Sequence, residues 1–401
     1  MLRSGRRLLG GTGEREECSM SNRIETRCIH GDSDFSFQEG TRAVSFPIYQ
    51  TATFGHIGLG HSSGFDYTRE KNPTRQRLEE VVSSLEGACD TVAFASGMAA
   101  VSACFELFAP GDHIVCSEDL YGGAIRLFRV IGQKNGLSFS FVDSTDIENV
   151  RMALRPETKA IYIETPSNPM MNVTDLRACG ALAREKGLLL IVDNTFLSPY
   201  LQNPLALGAD IVLHSGSKFI SGHNDTIAGF VSSAAQDVAD RIRLIGKTTG
   251  GVLAPFDCWL VLRGIKTLPV RMERQQENAQ KVAAWLARQK GVAQVFYAGL
   301  PEHPGYAVNR AQARGAGSMI SFRTDSVETA HRVLEKVRLI TFAESLGGTE
   351  SLITYPMTQT HPDVPKGMRE HLGITGTLLR LSVGLEHAQD IIADLAQALE
   401  E

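Results

Sequence analysis

Between about residue 76 and about residue 255, short apolar runs alternate with amphipathic stretches, and this alternation limits the chain to one class of architecture. TRQRLEEVVSSLEG places its apolar residues at helical spacing, and TVAFAS is a short apolar run. GMAAVSACFELFAPG follows as a helix stopped by Pro110 and Gly111, and HIVCSED is the next apolar run. The pattern repeats through LSFSFVD, KAIYIETPS, DLRACGALAREKG, LLLIVDN and ADIVLHSGS. Short apolar strands separated by helices predict a mostly parallel sheet covered on both faces, hence an α/β major domain over 76–255.

The flanks read differently. RMERQQENAQKVAAWLARQ, then SMISFRT, TAHRVLEKV and TLLRLSVG, predict a smaller α+β domain over 256–401. Residues 21–75 are rich in Gly, Ser, Thr and aromatics with little periodicity. A long irregular stretch in a compact enzyme is functional or packs on something else, and an arm reaching a neighbouring subunit is one such use. Residues 1–20 carry Arg3, Arg6 and Arg7 without the apolar run of a signal peptide, and Glu14, Glu16 and Glu17 oppose a transit peptide. They are expected to be a disordered extension, with Met1 and Met20 both open as the start.

A length of 401 residues exceeds what one hydrophobic core fills. With 43% hydrophobic residues, 21% charged residues and a formal net charge of -5, the composition asks for neither a nucleic-acid nor an acidic partner. No segment holds the roughly eighteen uninterrupted apolar residues of a membrane span. The seven cysteines form no C-x-x-C pair, and no H-E-x-x-H occurs, so reduced thiols in a cytoplasmic protein without a metal site are expected.

Ligands of open α/β sheets bind beyond the carboxyl ends of the strands, which directs attention to polar residues ending apolar runs. Lys218 follows ADIVLHSGS; a lysine there loses hydration, which lowers its pKa and frees a neutral amine for imine chemistry. Alone it also reads as an ordinary solvated strand end. Asp193 ends LLLIV, where a carboxylate needs a cationic partner such as a protonated pyridine, or serves as a turn cap. Ser96, Gly97 and Met98 join a strand to a helix whose free N–H groups suit a phosphate. Nucleotide-binding glycine fingerprints are missing. Tyr121 heads DLYGGAIRLF, where an aromatic face could stack on a flat ring or simply join the core.

Together these motifs resemble the PLP-dependent Cys/Met metabolism enzymes, the group of cystathionine γ-synthase, the cystathionine lyases, methionine γ-lyase and O-acetylhomoserine sulfhydrylase. The resemblance runs from about residue 23 to about residue 400 and rests on FDYTREKNPT, ASGMAAVSA, DLYGGAIRLF, IETPSNP, IVDNTFLSPYLQNPLALGADIVLHSGSKFISGHND, ESLGGTESLITYP and LLRLSVGLE. It implies a fold type I (aminotransferase-like) major domain, pyridoxal 5'-phosphate as cofactor, and an active site shared within a homo-oligomer, a tetramer built as a dimer of dimers.

On matching positions the resemblance implies that Lys218 binds the cofactor as an imine, Asp193 pairs with its pyridine nitrogen and Tyr121 stacks on its ring. Phosphate falls to the Gly97 and Met98 amides, Ser215 and Ser217, with Tyr67 and Arg69 contributed by the neighbouring subunit. Asn168 borders the ring edge with Glu164 near it, Arg380 holds the substrate carboxylate, Ser345 borders it, and Glu344 receives a distal amine. The implied reaction is γ-elimination or γ-replacement on a sulfur-type amino acid, with Tyr121 as acid for the leaving group. Cystathionine β-lyase, methionine γ-lyase, O-acetylhomoserine sulfhydrylase and a lyase for another γ-substituted amino acid are the alternatives, and a non-catalytic PLP-binding relative the alternative of another class. Gly123 stands where methionine γ-lyases carry cysteine, and Ala124 and Ser217 also depart from the usual pattern.

Overall fold

A computed structural model describes residues 22–31 and 43–400. The expected disordered extension and the choice of start lie outside the described residues. Seven strands form the larger sheet: β1 (Asp90–Phe94), β2 (His113–Ser117), β3 (Ser138–Val142), β4 (Thr158–Glu164), β5 (Leu189–Asp193), β6 (Ile211–Ser215) and β7 (Gly229–Ser233). Their order is β1-β7-β6-β5-β4-β2-β3. β7 runs antiparallel to both its neighbours, whereas β6, β5, β4, β2 and β3 pair in parallel. The central strands are buried on both faces, which is why Ile161, Tyr162 and Ile163 or Leu190, Ile191 and Val192 follow one another without a polar break.

A second sheet of five strands takes β8 (Val292–Phe296), β9 (Met319–Thr324), β10 (Thr341–Phe342), β11 (Leu352–Thr354) and β12 (Leu378–Ser382) in the order β10-β11-β12-β9-β8. Helices Val327–Lys336 and Ala388–Leu399 pack together beside it, giving the smaller α+β unit expected of the C-terminal part.

Local signals explain the boundaries. Helix Pro73–Glu86 starts where the Asn72 side chain accepts a 2.9 Å hydrogen bond from the Thr74 N–H, with proline in its first turn, and ends at Gly87 in the left-handed region. Leu78, Val82 and Leu85 of this helix are buried, and each such side chain contributes about 1.5–3 kcal/mol on leaving water. Three expectations need correction. The helix after TVAFAS runs only Gly97–Phe105, ending well before Pro110, because Glu106 closes it and Asp112 caps the Ala109 N–H in a separate turn at 2.8 Å. The helix read from Arg271 starts earlier, at Leu268, since Pro269 suits a first turn. The stretch 21–75 is not wholly irregular, for Ile24–His30 is helical. No helix of the described residues is long and apolar enough to cross a membrane.

Candidate active site

A cavity of about 940 Å³ opens where the carboxyl ends of β4, β5 and β6 face the edge of the second sheet, so both sheets supply its walls. Lys218 lies in the turn after β6. Its N–H donates to the Ser215 carbonyl at 3.2 Å and its own carbonyl accepts from Gly222 at 2.8 Å, which fixes the backbone and sends the side chain into the cavity. Lys218 Nζ donates to Ser345 Oγ at 2.9 Å. Burial pulls its pKa down from 10.5 to about 8; Arg380 adds to that shift and Glu344 opposes it.

Asp193 ends β5 in register with Glu164 of β4. Its Oδ1 accepts from Thr195 N–H at 3.0 Å and Thr195 Oγ1 at 2.5 Å. Its Oδ2 has no donor among the described residues, although burial raises the carboxyl pKa. Glu164 Oε2 accepts from the Tyr121 N–H at 2.9 Å, and burial beside Asp193 pushes the Glu164 carboxyl well above the carboxylate range. Two neighbouring carboxyls, Glu164 buried and Asp193 half-buried, therefore favour a positive group beside them.

At the far wall, Ser96 caps helix Gly97–Phe105 by accepting from the Ala99 N–H at 3.0 Å. That leaves the first-turn N–H groups of Gly97 and Met98 beside the cavity without an intrahelical acceptor. A Cβ on Gly97 would come within 2.9 Å of the Ser215 Cβ, so only glycine lets the helix start close on β6. Ser215 lines the same wall. The Ser217 hydroxyl is engaged, donating to the Ala228 carbonyl at 3.2 Å and accepting from the Ala228 N–H at 3.0 Å.

Arg380 enters from β12 and is only 2% exposed. One terminal nitrogen donates to Asn168 Oδ1 at 2.7 Å, and the other to the Ser345 carbonyl at 3.2 Å and Thr354 Oγ1 at 3.3 Å. Its Nε is buried without a partner among the described residues. Burial lowers its pKa to about 10. Ser345 adopts φ 95°, a left-handed conformation strained for a residue with a Cβ, and thereby presents its hydroxyl to Lys218 and its carbonyl to Arg380. Tyr121, 41% exposed, and the exposed Glu344 stand at the rim.

The sequence-derived residues Gly97, Met98, Tyr121, Glu164, Asn168, Asp193, Ser215, Ser217, Lys218, Glu344, Ser345 and Arg380 thus surround one cavity. Tyr67 and Arg69 are outside its lining; the Arg69 guanidinium lies 5.6 Å from the Tyr67 ring centroid and donates to the Lys247 carbonyl at 2.5 Å. Sequence reasoning missed Thr195 and Thr354. Asp193 followed by a hydroxyl residue two positions later is a readable turn signal, whereas Thr354 is visible only through its pairing with Arg380 in β11 and β12.

The residues fit a flat, anionic, carbonyl-bearing ligand with a ring nitrogen. An unpartnered carboxylate oxygen, a glycine-floored helix start, a desolvated amine and a buried guanidinium would each suit one part of pyridoxal phosphate or an amino acid attached to it. Sequence comparison agrees: the model of the Cys/Met metabolism PLP-dependent enzymes matches residues 25–400. A cystathionine beta-lyase of Lactococcus lactis subsp. cremoris is 45% identical over 378 residues, covering 94% of this chain and 99% of that protein. A cystathionine gamma-synthase of Haemophilus influenzae is 48% identical over 362 residues, 90% of this chain and 94% of that one. Among solved structures, the cystathionine gamma-lyase from Lactobacillus plantarum complexed with L-serine superposes with a TM-score of 0.90 at 41% identity, covering 94% and 98% of the two chains.

Proposed function

The chain belongs to the Cys/Met metabolism PLP-dependent enzymes, a family of PLP-dependent lyases and transferases of trans-sulfuration, and on that premise we propose that Lys218 carries the cofactor and that the reaction falls at the γ-carbon of a sulfur-type amino acid. The observation that carries the assignment of Lys218 is the series of contacts from Lys218 Nζ through Ser345 to Arg380 and Asn168, which sets a desolvated amine beside a guanidinium suited to a carboxylate.

When bound, pyridoxal phosphate supplies an electron sink for charge that develops at the substrate α-carbon. In this reading Asp193 faces the ring nitrogen, and Glu164 with Asn168 borders the ring edge. The Gly97 and Met98 amides with Ser215 take the phosphate, joined by Ser217 once its hydroxyl proton turns away from the Ala228 carbonyl, and Tyr121 covers the ring. Arg380 meets the substrate carboxylate through the terminal N–H that Asn168, Ser345 and Thr354 leave free, with Ser345 beside it. Lys218, free once the substrate amine has taken its place, would accept the α-proton on Nζ and hand it to the cofactor, and a β-proton would have to leave before the γ-bond breaks; its lowered pKa keeps the accepting form populated near neutral pH. Tyr121 protonates the departing group, and Glu344 at the rim meets a distal amine.

The same proposal makes 21–75 an arm that brings Tyr67 and Arg69 to the phosphate of a neighbouring subunit, within a homotetrameric cytoplasmic enzyme. Support comes from Ile57 and Leu59, 82% and 102% exposed on that segment, which a neighbouring subunit would cover. Tyr67→Phe and Arg69→Ala are expected to raise the dissociation constant for PLP several-fold with the fold intact, measured by fluorescence titration of the apo-protein. Equal affinity in wild type and both variants would remove the shared site.

Loading should also follow the Lys218 amine. In the unfolded chain a lysine amine titrates near 10.5, whereas burial brings this one to about 8 in the fold. Between these values the unfolded chain holds the additional proton. The resulting penalty on the folded apo-protein is therefore full below about pH 8 and fades as pH rises towards 10.5. The rate of PLP attachment, followed by stopped-flow absorbance, is expected to rise about tenfold per pH unit below that pKa and to level off above it. A rate still climbing steeply above pH 9 would contradict a desolvated Lys218.

The deciding experiment for the reaction is a product assay. Cystathionine, homocysteine, methionine, and O-acyl-homoserine plus cysteine are offered in turn, scoring 2-oxobutyrate, pyruvate and condensed thioether. 2-Oxobutyrate or thioether supports chemistry at the γ-carbon. Pyruvate from cystathionine moves the assignment to the β-lyase that one relative's name describes.

A further inference from the structure

Residues 355–364, which follow β11, carry no group of the proposed chemistry, yet they cross from the second sheet and touch the backbone on either side of the site. His361 is 1% exposed. Its Nε2 lies 3.2 Å from the Leu120 carbonyl and 3.2 Å from the Asn168 carbonyl, while Nδ1 lies 2.7 Å from Thr360 Oγ1. Carbonyl oxygens only accept, so Nε2 carries the hydrogen and is shared between both; Nδ1 then accepts from the threonine hydroxyl. One imidazole thus ties the residue before Tyr121 to the residue whose amide oxygen receives Arg380 at 2.7 Å. Burial, reinforced by nearby Arg380, lowers the pKa of His361 to about 4, which keeps the ring neutral and this tautomer in place.

The glycine after Tyr121 shows how close this contact is. A Cβ on Gly122 would lie 2.3 Å from the Thr360 carbonyl oxygen and 3.3 Å from the His361 Cα. The first glycine of Y-G-G therefore admits the 360–361 backbone rather than a ligand. The second serves the aromatic ring, since a Cβ on Gly123 would be 2.5 Å from Tyr121 Cε1. The loop also starts from Thr354, whose hydroxyl receives Arg380 at 3.3 Å, so the segment 354–361 touches both Arg380 and Asn168.

We propose that His361 is a positioning residue, a latch between the two sheets that sets the Tyr121 ring and the Asn168–Arg380 fork in mutual register. The proposal rests on assigning Tyr121, Asn168 and Arg380 to the PLP and substrate site. A side chain that only filled space would affect stability alone. A latch acts on substrate carboxylate binding and on the asymmetry imposed on the cofactor ring, because both groups it holds are tethered through backbone it touches directly.

The test compares PLP-loaded wild type with His361→Leu, His361→Gln and His361→Asn. The readouts are kcat and KM for the substrate that the product assay selects, visible circular dichroism of the bound cofactor, and thermal unfolding. His361→Leu is expected to lose on the order of 10- to 100-fold in kcat/KM, mostly through KM, with a weakened visible dichroic band. His361→Gln, whose amide N–H reaches the Nε2 position, is expected to recover to within about threefold of wild type, and the shorter His361→Asn is not. Variants that change only the unfolding temperature, with kinetics and dichroism as in wild type, overturn the proposal. Should His361→Leu fail to fold, equal KM and dichroism in the Gln and Asn variants overturn it as well. Lys218→Ala, run alongside, separates the layers: if it keeps the cofactor band and turnover, the site reading itself falls, and the latch with it. If it loses both while the His361 variants behave as wild type, only the latch falls.

Discussion

Lys218→Ala is expected to fold, to lose the visible absorbance band that wild type develops with pyridoxal phosphate, and to fall by more than about a thousandfold in turnover. The size follows from two tasks resting on one amine. In the proposed mechanism it is the covalent anchor and also the group that moves the α-proton, and proton transfer by a positioned side chain alone contributes about 10²–10⁴-fold. The fold survives because Nζ makes one hydrogen bond, to Ser345 Oγ at 2.9 Å, and burial already opposes its charge. Removing a desolvated cation takes away a cost, so the unfolding temperature of the apo-protein is expected to stay level or rise. Absorbance spectroscopy, calorimetry and the product assay read the three effects separately. A variant retaining both the band and turnover would move the anchor to another lysine and dissolve the site as drawn.

The parts of this site that were legible in the sequence share one property. Asp193 and Lys218 end or follow uninterrupted apolar strands, and parallel strands buried on both faces mark their carboxyl ends by the abrupt return of polar residues. Ser96–Gly97–Met98 was legible for the same reason, as a strand-to-helix turn. Arg380 was not: TLLRLSVG reads as an ordinary half-buried strand, and only the family resemblance pointed to its role. Its partner Asn168 lies 212 residues away, a separation that no local periodicity spans. His361 escaped notice because a lone histidine in a polar loop carries no pattern, and its two acceptors are backbone carbonyls that any sequence would provide. The early end of helix Gly97–Phe105 was hidden because Leu107 and Phe108 continue its apolar spacing while belonging to the following turn. Local patterning marks the sheet and its mouth, whereas the contacts joining the two sheets link residues too far apart in sequence for any periodicity to show.

Arg380→Lys is expected to lower kcat/KM by roughly 30- to 1000-fold, the equivalent of about 2–4 kcal/mol of transition-state binding. The guanidinium is held by Asn168 Oδ1, the Ser345 carbonyl and Thr354 Oγ1, all uncharged, and among the described residues it has no carboxylate within ion-pair distance. A buried cation held only by neutral acceptors, with its pKa lowered to about 10, lacks a close counter-charge, which in the proposed function a substrate carboxylate would supply on binding. Lysine keeps the charge but brings one nitrogen where two separate nitrogens now serve Asn168 and Ser345, so it cannot hold the loop and the carboxylate together. The loss should therefore appear chiefly in KM. Stability should move the other way: an uncompensated buried charge burdens the apo fold, so Arg380→Leu is expected to be as stable as wild type or more so, while its kcat/KM falls at least as far as that of the lysine variant. Chemical denaturation and steady-state kinetics on the same preparations test this opposition. An Arg380→Leu protein that loses stability while keeping its KM would show that the guanidinium braces the two sheets and that substrate carboxylate is held elsewhere.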